Sequence, residues 1–182
     1  EVAGIPVKQI GLEVWGGYTL PDGNVSLLNL PAGKTFTTTF AGPAMNLIAA
    51  AGLWYFALGQ VGISEMRTDL SSPSELPRAF AILGFWINGY LAVLNLLPLF
   101  PLDGGHIFRA FLMWFLNSRV AAALISGLIS LGIGIAGAGW MLVQGNEDGW
   151  ESLGDIWFLG IYSAVVIVAS FGVLANIRNL ND

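Results

Sequence analysis

The chain is 182 residues long, 55% hydrophobic and only 10% charged, with a formal net charge of -5 and no cysteine; its mean hydropathy is +0.70. A soluble domain carries about a quarter charged residues, so these numbers exclude one and describe a membrane protein. The missing cysteines exclude disulfides and thiolate metal ligands. The acids gather in loops, and no nucleic-acid partner is expected.

Residues 1–40 do not read as a spanning helix. In KQIGLEVWGGY, Ile10, Leu12 and Val14 alternate with Gln9, Gly11 and Glu13, the period of a half-buried strand. PDGN at 21–24 is turn chemistry and VSLLNL after it reads as a second strand, which predicts a β-hairpin in a membrane-associated segment over 1–40. Residues 41–182 are expected to form a transmembrane helical domain. Nearly uninterrupted apolar runs lie near 41–62, 79–100, 121–143 and 156–175, each long enough to cross about 30 Å of hydrocarbon at about 20 residues. The predicted fold class is mainly α, a polytopic membrane helical bundle of about four transmembrane segments in contact with lipid, preceded by a short N-terminal β-hairpin.

Gly42 and Pro43 suit the start of the first span, and the small residues Ala44, Ala49, Ala50, Ala51 and Gly52 admit a close neighbour. Asn46 is polar in this run and reads equally as an interhelical hydrogen-bond partner or as a functional residue. Residues 63–78 form a polar external loop, with Ser74 and Pro77 marking the approach to the next helix. The 121–143 run carries Gly127, Gly132, Gly134, Gly137 and Gly139 and no ionisable group, the composition of a packing helix. The last run is equally free of charge, and Trp157 with Trp150 suits an interfacial belt. With four crossings, Lys8, Lys34, Arg109, Arg119 and Arg178 share one side while Arg67 and Arg78 face the other. Cations in short loops mark the cytoplasmic side, so both termini are expected there, in an integral multi-pass protein.

NLLPLFPLDGGH, residues 95–106, sets a carboxylate, a histidine and two prolines in apolar sequence. An ionised carboxylate at membrane depth costs about 3 kcal/mol or more unless paired, wet or metal-bound. Pro98 and Pro101 delete helical N–H groups and free carbonyls that lipid cannot satisfy, so the segment is expected to be broken and to face protein or a water-filled cavity. Gly104 and Gly105 then permit a sharp turn, with a helix resuming at His106 or Ile107. Three readings of Asp103 remain open from spacing: an N-cap of the resumed helix, a salt bridge with Arg109, or a hard-metal ligand at the edge of a cavity.

NLLPLFPLDGGHIFRAFL resembles the C-terminal signature of the site-2 protease family of intramembrane zinc metalloproteases, in which an N-x-x-P-x-x-P-x-D-G-G stretch supplies an aspartate ligand. GIPVKQIGLEVWGG and AGPAMN resemble, in order, the family's strand segment and the start of its next span. The resemblance covers most of residues 4–116. It implies hydrolysis of a transmembrane protein substrate within the bilayer, with zinc as the cofactor, Asp103 as a metal ligand, and Asn95 near the site in contact with substrate backbone or oxyanion. It also implies substrate contacts from Asn46 and from Gly16 and Gly17, which close a strand over 8–17 suited to edge pairing with an unwound substrate.

The family's H-E-x-x-H helix, source of two histidine ligands and the glutamate base, would end a turn or two before Glu1. His106 is the sole histidine here, so the chain alone is expected to bind no zinc and to be inactive. The expectation is a fragment of such a protease. The alternative is a catalytically inactive relative serving as a scaffold or assembly subunit among neighbouring membrane subunits. A transporter-like protein with a helix broken at midplane ranks last, for want of an internal duplication or a second broken helix.

Overall fold

The structure is a computed structural model that describes residues 7–13, 16–21, 27–59, 73–147 and 153–180. Strands β1 (Val7–Glu13) and β2 (Gly16–Pro21) pair antiparallel, with Glu13 opposite Gly16 and Leu12 opposite Gly17. The hairpin exists, but its two strands are already paired at Glu13 and Gly16, ahead of the turn signal at 21–24. Two residues between strands is the tightest common connection, and it wins over the later turn signal. Leu27–Asn29, placed in a second strand by its sequence, is a short 3-10 turn. Its carbonyls are taken by side chains and not by a ladder: Arg109 donates to the Leu28 oxygen at 3.1 Å and Arg119 to the Asn29 oxygen at 3.3 Å.

Helix α1 (Ala32–Gly52) runs on through a π-helical turn, Leu53–Ala57. It begins well before Gly42 and Pro43, so Pro43 lies inside the helix and not at its start. The reason is a buried stripe of Thr35, Thr39, Pro43 and Ala50, spaced at four- and seven-residue steps that keep one face inward. The Thr39 hydroxyl donates to the Thr35 carbonyl at 2.8 Å. Threonines of this kind, with neighbouring helices, are what makes an interior proline tolerable in a membrane helix.

Helices α2 (Leu76–Leu96), α3 (Asp103–Leu116), α4 (Arg119–Glu147) and α5 (Leu153–Ala175) follow, the last ending in a 3-10 turn over Asn176–Asn179. Four segments are long and apolar enough to cross a membrane: Ala32–Ala57, Leu76–Leu96, Arg119–Trp140 and Gly160–Asn179. The helical bundle with four candidate spans and a strand pair before it is therefore the architecture. Most of the expected 63–78 loop, Trp150 and the Trp157 side chain lie outside what the structure describes.

Three contacts show how α1 lies beside the interrupted α2–α3 pair. Leu53 meets Gly84 of α2, Gly42 meets Asp103 at the start of α3, and the Phe36 and Trp114 rings approach to 5.5 Å. As α1 ascends in residue number its partners descend, so α2 and α3 together form one antiparallel partner of α1. At about 1.5 Å per residue, Gly42 stands about 15 Å from Ala32 and about 22 Å from Ala57. The break is thus held near the middle of α1.

On the other side, α4 packs on α5 through glycine. A Cβ on Gly127 would meet Leu174 at 2.9 Å, one on Gly134 would meet Val166 at 3.0 Å, and one on Gly137 the Ser163 hydroxyl at 3.1 Å. The packing-helix reading holds at these three positions, whereas Gly132 and Gly139 face open space. Phe100, from the break, is buried with Ala123, Val173 and Leu180, so the interrupted segment is also the joint between the two helix pairs.

Candidate functional site

Residues 97–102 connect α2 to α3 without helix, as the two prolines require. Pro98 and Pro101 carry no N–H, leaving four donors to satisfy. Leu97 donates to the Leu94 carbonyl at 3.1 Å, Leu99 to Leu97 at 2.7 Å and Leu102 to Leu99 at 2.9 Å. Phe100 donates outside the segment, to the Ser130 hydroxyl of α4 at 2.9 Å. Every donor in the break is met, which is the condition for irregular backbone at membrane depth.

The helix resumes at Asp103, earlier than His106 or Ile107. Gly104 and Gly105 therefore do not make the turn; they are buried residues in the first turn of α3. Their role is close approach. A Cβ on Gly104 would overlap the Leu97 carbonyl oxygen, and one on Gly105 would come within 2.9 Å of the Leu99 carbonyl and the Phe100 ring. Glycine here lets α3 start flush against the backbone that precedes it.

Asp103 is half-buried and occupies the first helical position; the N-cap is Leu102, with no side-chain cap bond. The capping reading is thereby corrected. A carboxylate in the first turn is still favoured by the helix dipole, yet its side chain is left available for other work. Its Oδ2 lies 3.1 Å from where a Cβ of Gly42 would stand, and Gly42 is itself exposed. The carboxylate thus lies close against α1 at a position where glycine admits it.

Arg109 is fully buried, and its Nη1 donates to the Leu28 carbonyl at 3.1 Å and contacts the Met113 sulfur at 3.5 Å. These bonds tie the middle of α3 to the turn ahead of α1. His106 stands edge-on to Phe100 with centroids 5.0 Å apart at 81°, and its Nδ1 is buried without a hydrogen-bond partner among the described atoms. It packs the inner side of the break.

Asn46 lies one turn beyond Gly42 and so shares the face of α1 that meets Asp103; it is half-buried. Asn95 is half-buried in the last turn of α2, beside Leu96, whose backbone touches Gly104. Asn46, Asn95 and Asp103 therefore sit on the three elements that border the break. Gly16 and Gly17 open β2, opposite Glu13 and Leu12. Among the described residues no three His, Cys, Asp or Glu side chains converge. Asp103, the one carboxylate between Glu75 and Glu147, supplies an oxygen ligand of the right chemistry for one corner of a zinc site.

Sequence reasoning missed Gly42 as a wall of the site, and Ser130 as the acceptor for Phe100. The signal for Gly42 was its four-residue step to Asn46. Ser130 lies four residues after Ser126, and both are fully buried, a polar stripe that an apolar helix would not carry without a partner.

Residues 58–136 match the sequence model of Peptidase family M50. The chain is similar to a Synechocystis protein named "Putative zinc metalloprotease sll0528", 28% identical over 95% of this chain and 39% of that protein. It is also similar to the Mycobacterium tuberculosis protein named "Putative zinc metalloprotease Rip3", 32% identical over 60% of this chain and 25% of that one. The chain thus spans well under half the length of these relatives. The resemblance carried by the aspartate stretch is thus matched by the family model and by relatives named as zinc metalloproteases, and Asp103 lies inside the matched segment.

Proposed function

We propose that this chain forms part of an intramembrane zinc metalloprotease that cleaves transmembrane protein substrates within the bilayer. The observation that carries the reading is Asp103 at the helix break, set against Gly42 near the middle of a candidate span. A carboxylate at that depth needs a partner, and a metal ion is one. The other protein ligands and the general base come from outside the described residues. Zinc, when bound, lowers the pKa of its water and polarises the scissile carbonyl.

The residues of this chain divide the remaining tasks. Asp103 holds one coordination position. Asn95, in the last turn of α2, offers its amide to substrate backbone or to a developing oxyanion, and Asn46 does the same from α1. In a two-stranded sheet each strand keeps an outer edge, so the segment ending at Gly16 and Gly17 offers backbone donors and acceptors to an extended substrate. Glycine at that edge lets a second backbone come close.

The test is Asp103→Asn in the protein as the cell makes it, followed by zinc content and cleavage of a transmembrane reporter. The change removes ligand charge and almost no volume, so insertion and folding are expected to persist while zinc affinity falls at least about tenfold and cleavage is lost. His106→Gln is expected to keep its zinc, since that side chain packs on Phe100. Full zinc content and cleavage in Asp103→Asn would reject the ligand role.

A further inference from the structure

Ser130 and Ser170 lie outside the break, on α4 and α5, and both are fully buried. Their hydroxyl oxygens are 2.8 Å apart, and the Ser170 hydroxyl also stands 2.6 Å from the Val166 carbonyl oxygen. Each hydroxyl has one proton to give. One arrangement uses every group once: the Phe100 N–H donates to Ser130, the Ser130 proton goes to Ser170, and the Ser170 proton goes to the Val166 carbonyl. Phe100 N–H is the one donor of residues 97–102 that is met by a side chain and not by a backbone carbonyl. Its side chain is 1% exposed, wedged among Ala123, Val173 and Leu180. The α4–α5 pair therefore holds Phe100 by both its backbone and its ring.

What Phe100 holds in turn is the start of α3. Gly105 rests on the Leu99 carbonyl and the Phe100 ring, Gly104 rests on Leu96 and Leu97, and Asp103 precedes them by one residue. A shift of Phe100 away from α4 would move the floor on which the first turn of α3 sits. We infer that Ser130, backed by Ser170, is a positioning residue that fixes Asp103 at its place opposite Gly42, so that the last two helices serve the metal site without touching it. This rests on the proposed zinc-ligand role of Asp103.

The test compares Ser130→Ala, Ser130→Thr and Ser170→Ala with Asp103→Asn in the protein as the cell makes it, in detergent or bicelles. Amide exchange of the 97–103 segment and zinc affinity by chelator competition are read together. Ser130→Ala leaves the buried Phe100 N–H without its acceptor, and is expected to speed exchange of the segment by about tenfold and to weaken zinc binding by about tenfold. Ser130→Thr, which restores the hydroxyl, is expected to return both toward wild type. Ser170→Ala, which spares the acceptor, is expected to show the smaller change in both. Unchanged exchange in Ser130→Ala would overturn the clamp whatever the zinc shows. Faster exchange with unchanged zinc affinity would overturn the positioning of Asp103. Normal zinc binding in Asp103→Asn would instead reject the ligand reading on which the inference rests, and exchange would still judge the clamp by itself.

Discussion

Asp103 and the three glycines around it form a unit in which space matters as much as charge. Gly104 faces backbone on its inner side, and a carbonyl cannot swing aside as a side chain can. Gly104→Ala is expected to force α3 away from Leu97, at a cost of about 1–3 kcal/mol or more in unfolding free energy, read as a lower midpoint in a detergent-denaturation titration. Gly42 differs, because its hypothetical Cβ meets the far end of the Asp103 side chain at 3.1 Å. Gly42→Ala is expected to leave the midpoint nearly unchanged, while Gly42→Val, which intrudes on the carboxylate, lowers zinc affinity. The same measurement separates the two roles of glycine: one supports the fold, the other keeps the site clear.

Arg109 shows how α3, only 14 residues long, is held in place. At the break it rests on the Leu99 backbone and the Phe100 ring. From its middle, the buried Arg109 guanidinium reaches the Leu28 carbonyl, and Arg119 at the start of α4 reaches the Asn29 carbonyl. A buried guanidinium bonded to backbone is expensive to remove singly, since the abandoned carbonyl stays desolvated. Arg109→Met keeps much of the apolar stem and deletes the charge; it is expected to lower stability by about 1.5–3 kcal/mol. Limited proteolysis near Leu27–Asn29 should accelerate in parallel. If that segment is no more accessible in the variant, Arg109 does not anchor it.

For the whole molecule, the antiparallel run of contacts from Phe36–Trp114 through Gly42–Asp103 to Leu53–Gly84 makes α2 and α3 a single interrupted partner of α1. Cations at Lys34, Arg109, Arg119 and Arg178 then lie toward one end of the bundle, with Arg78 at the other. Because the chain has no cysteine, single cysteines report topology without background. Lys34→Cys and Arg178→Cys are expected to be protected from an impermeant thiol reagent in intact cells, and Ser74→Cys to be labelled, as the positive-inside rule requires. Labelling of residue 34 with protection of residue 74 would invert the orientation.

What the sequence by itself determined is what local chemistry decides. Four apolar runs, a broken segment around Pro98 and Pro101, and a carboxylate that apolar surroundings cannot leave idle are legible because backbone without N–H groups and charge without water are costly wherever the chain goes. The ends of elements were not legible. Gly42–Pro43 has the local signature of a helix start, yet the buried face through Thr35, Thr39 and Pro43 carries α1 back to Ala32. PDGN has the signature of a hairpin turn, yet the pairing of Glu13 with Gly16 takes the reversal earlier. Gly104 and Gly105 look like a turn and prove to be contact surfaces. In each case several local conformations differ by little, and the choice falls to packing between distant segments. Ser130 belongs to that second kind altogether: thirty residues from Phe100, it acquires its meaning only when α4 is laid beside the break and one unmet N–H needs an acceptor.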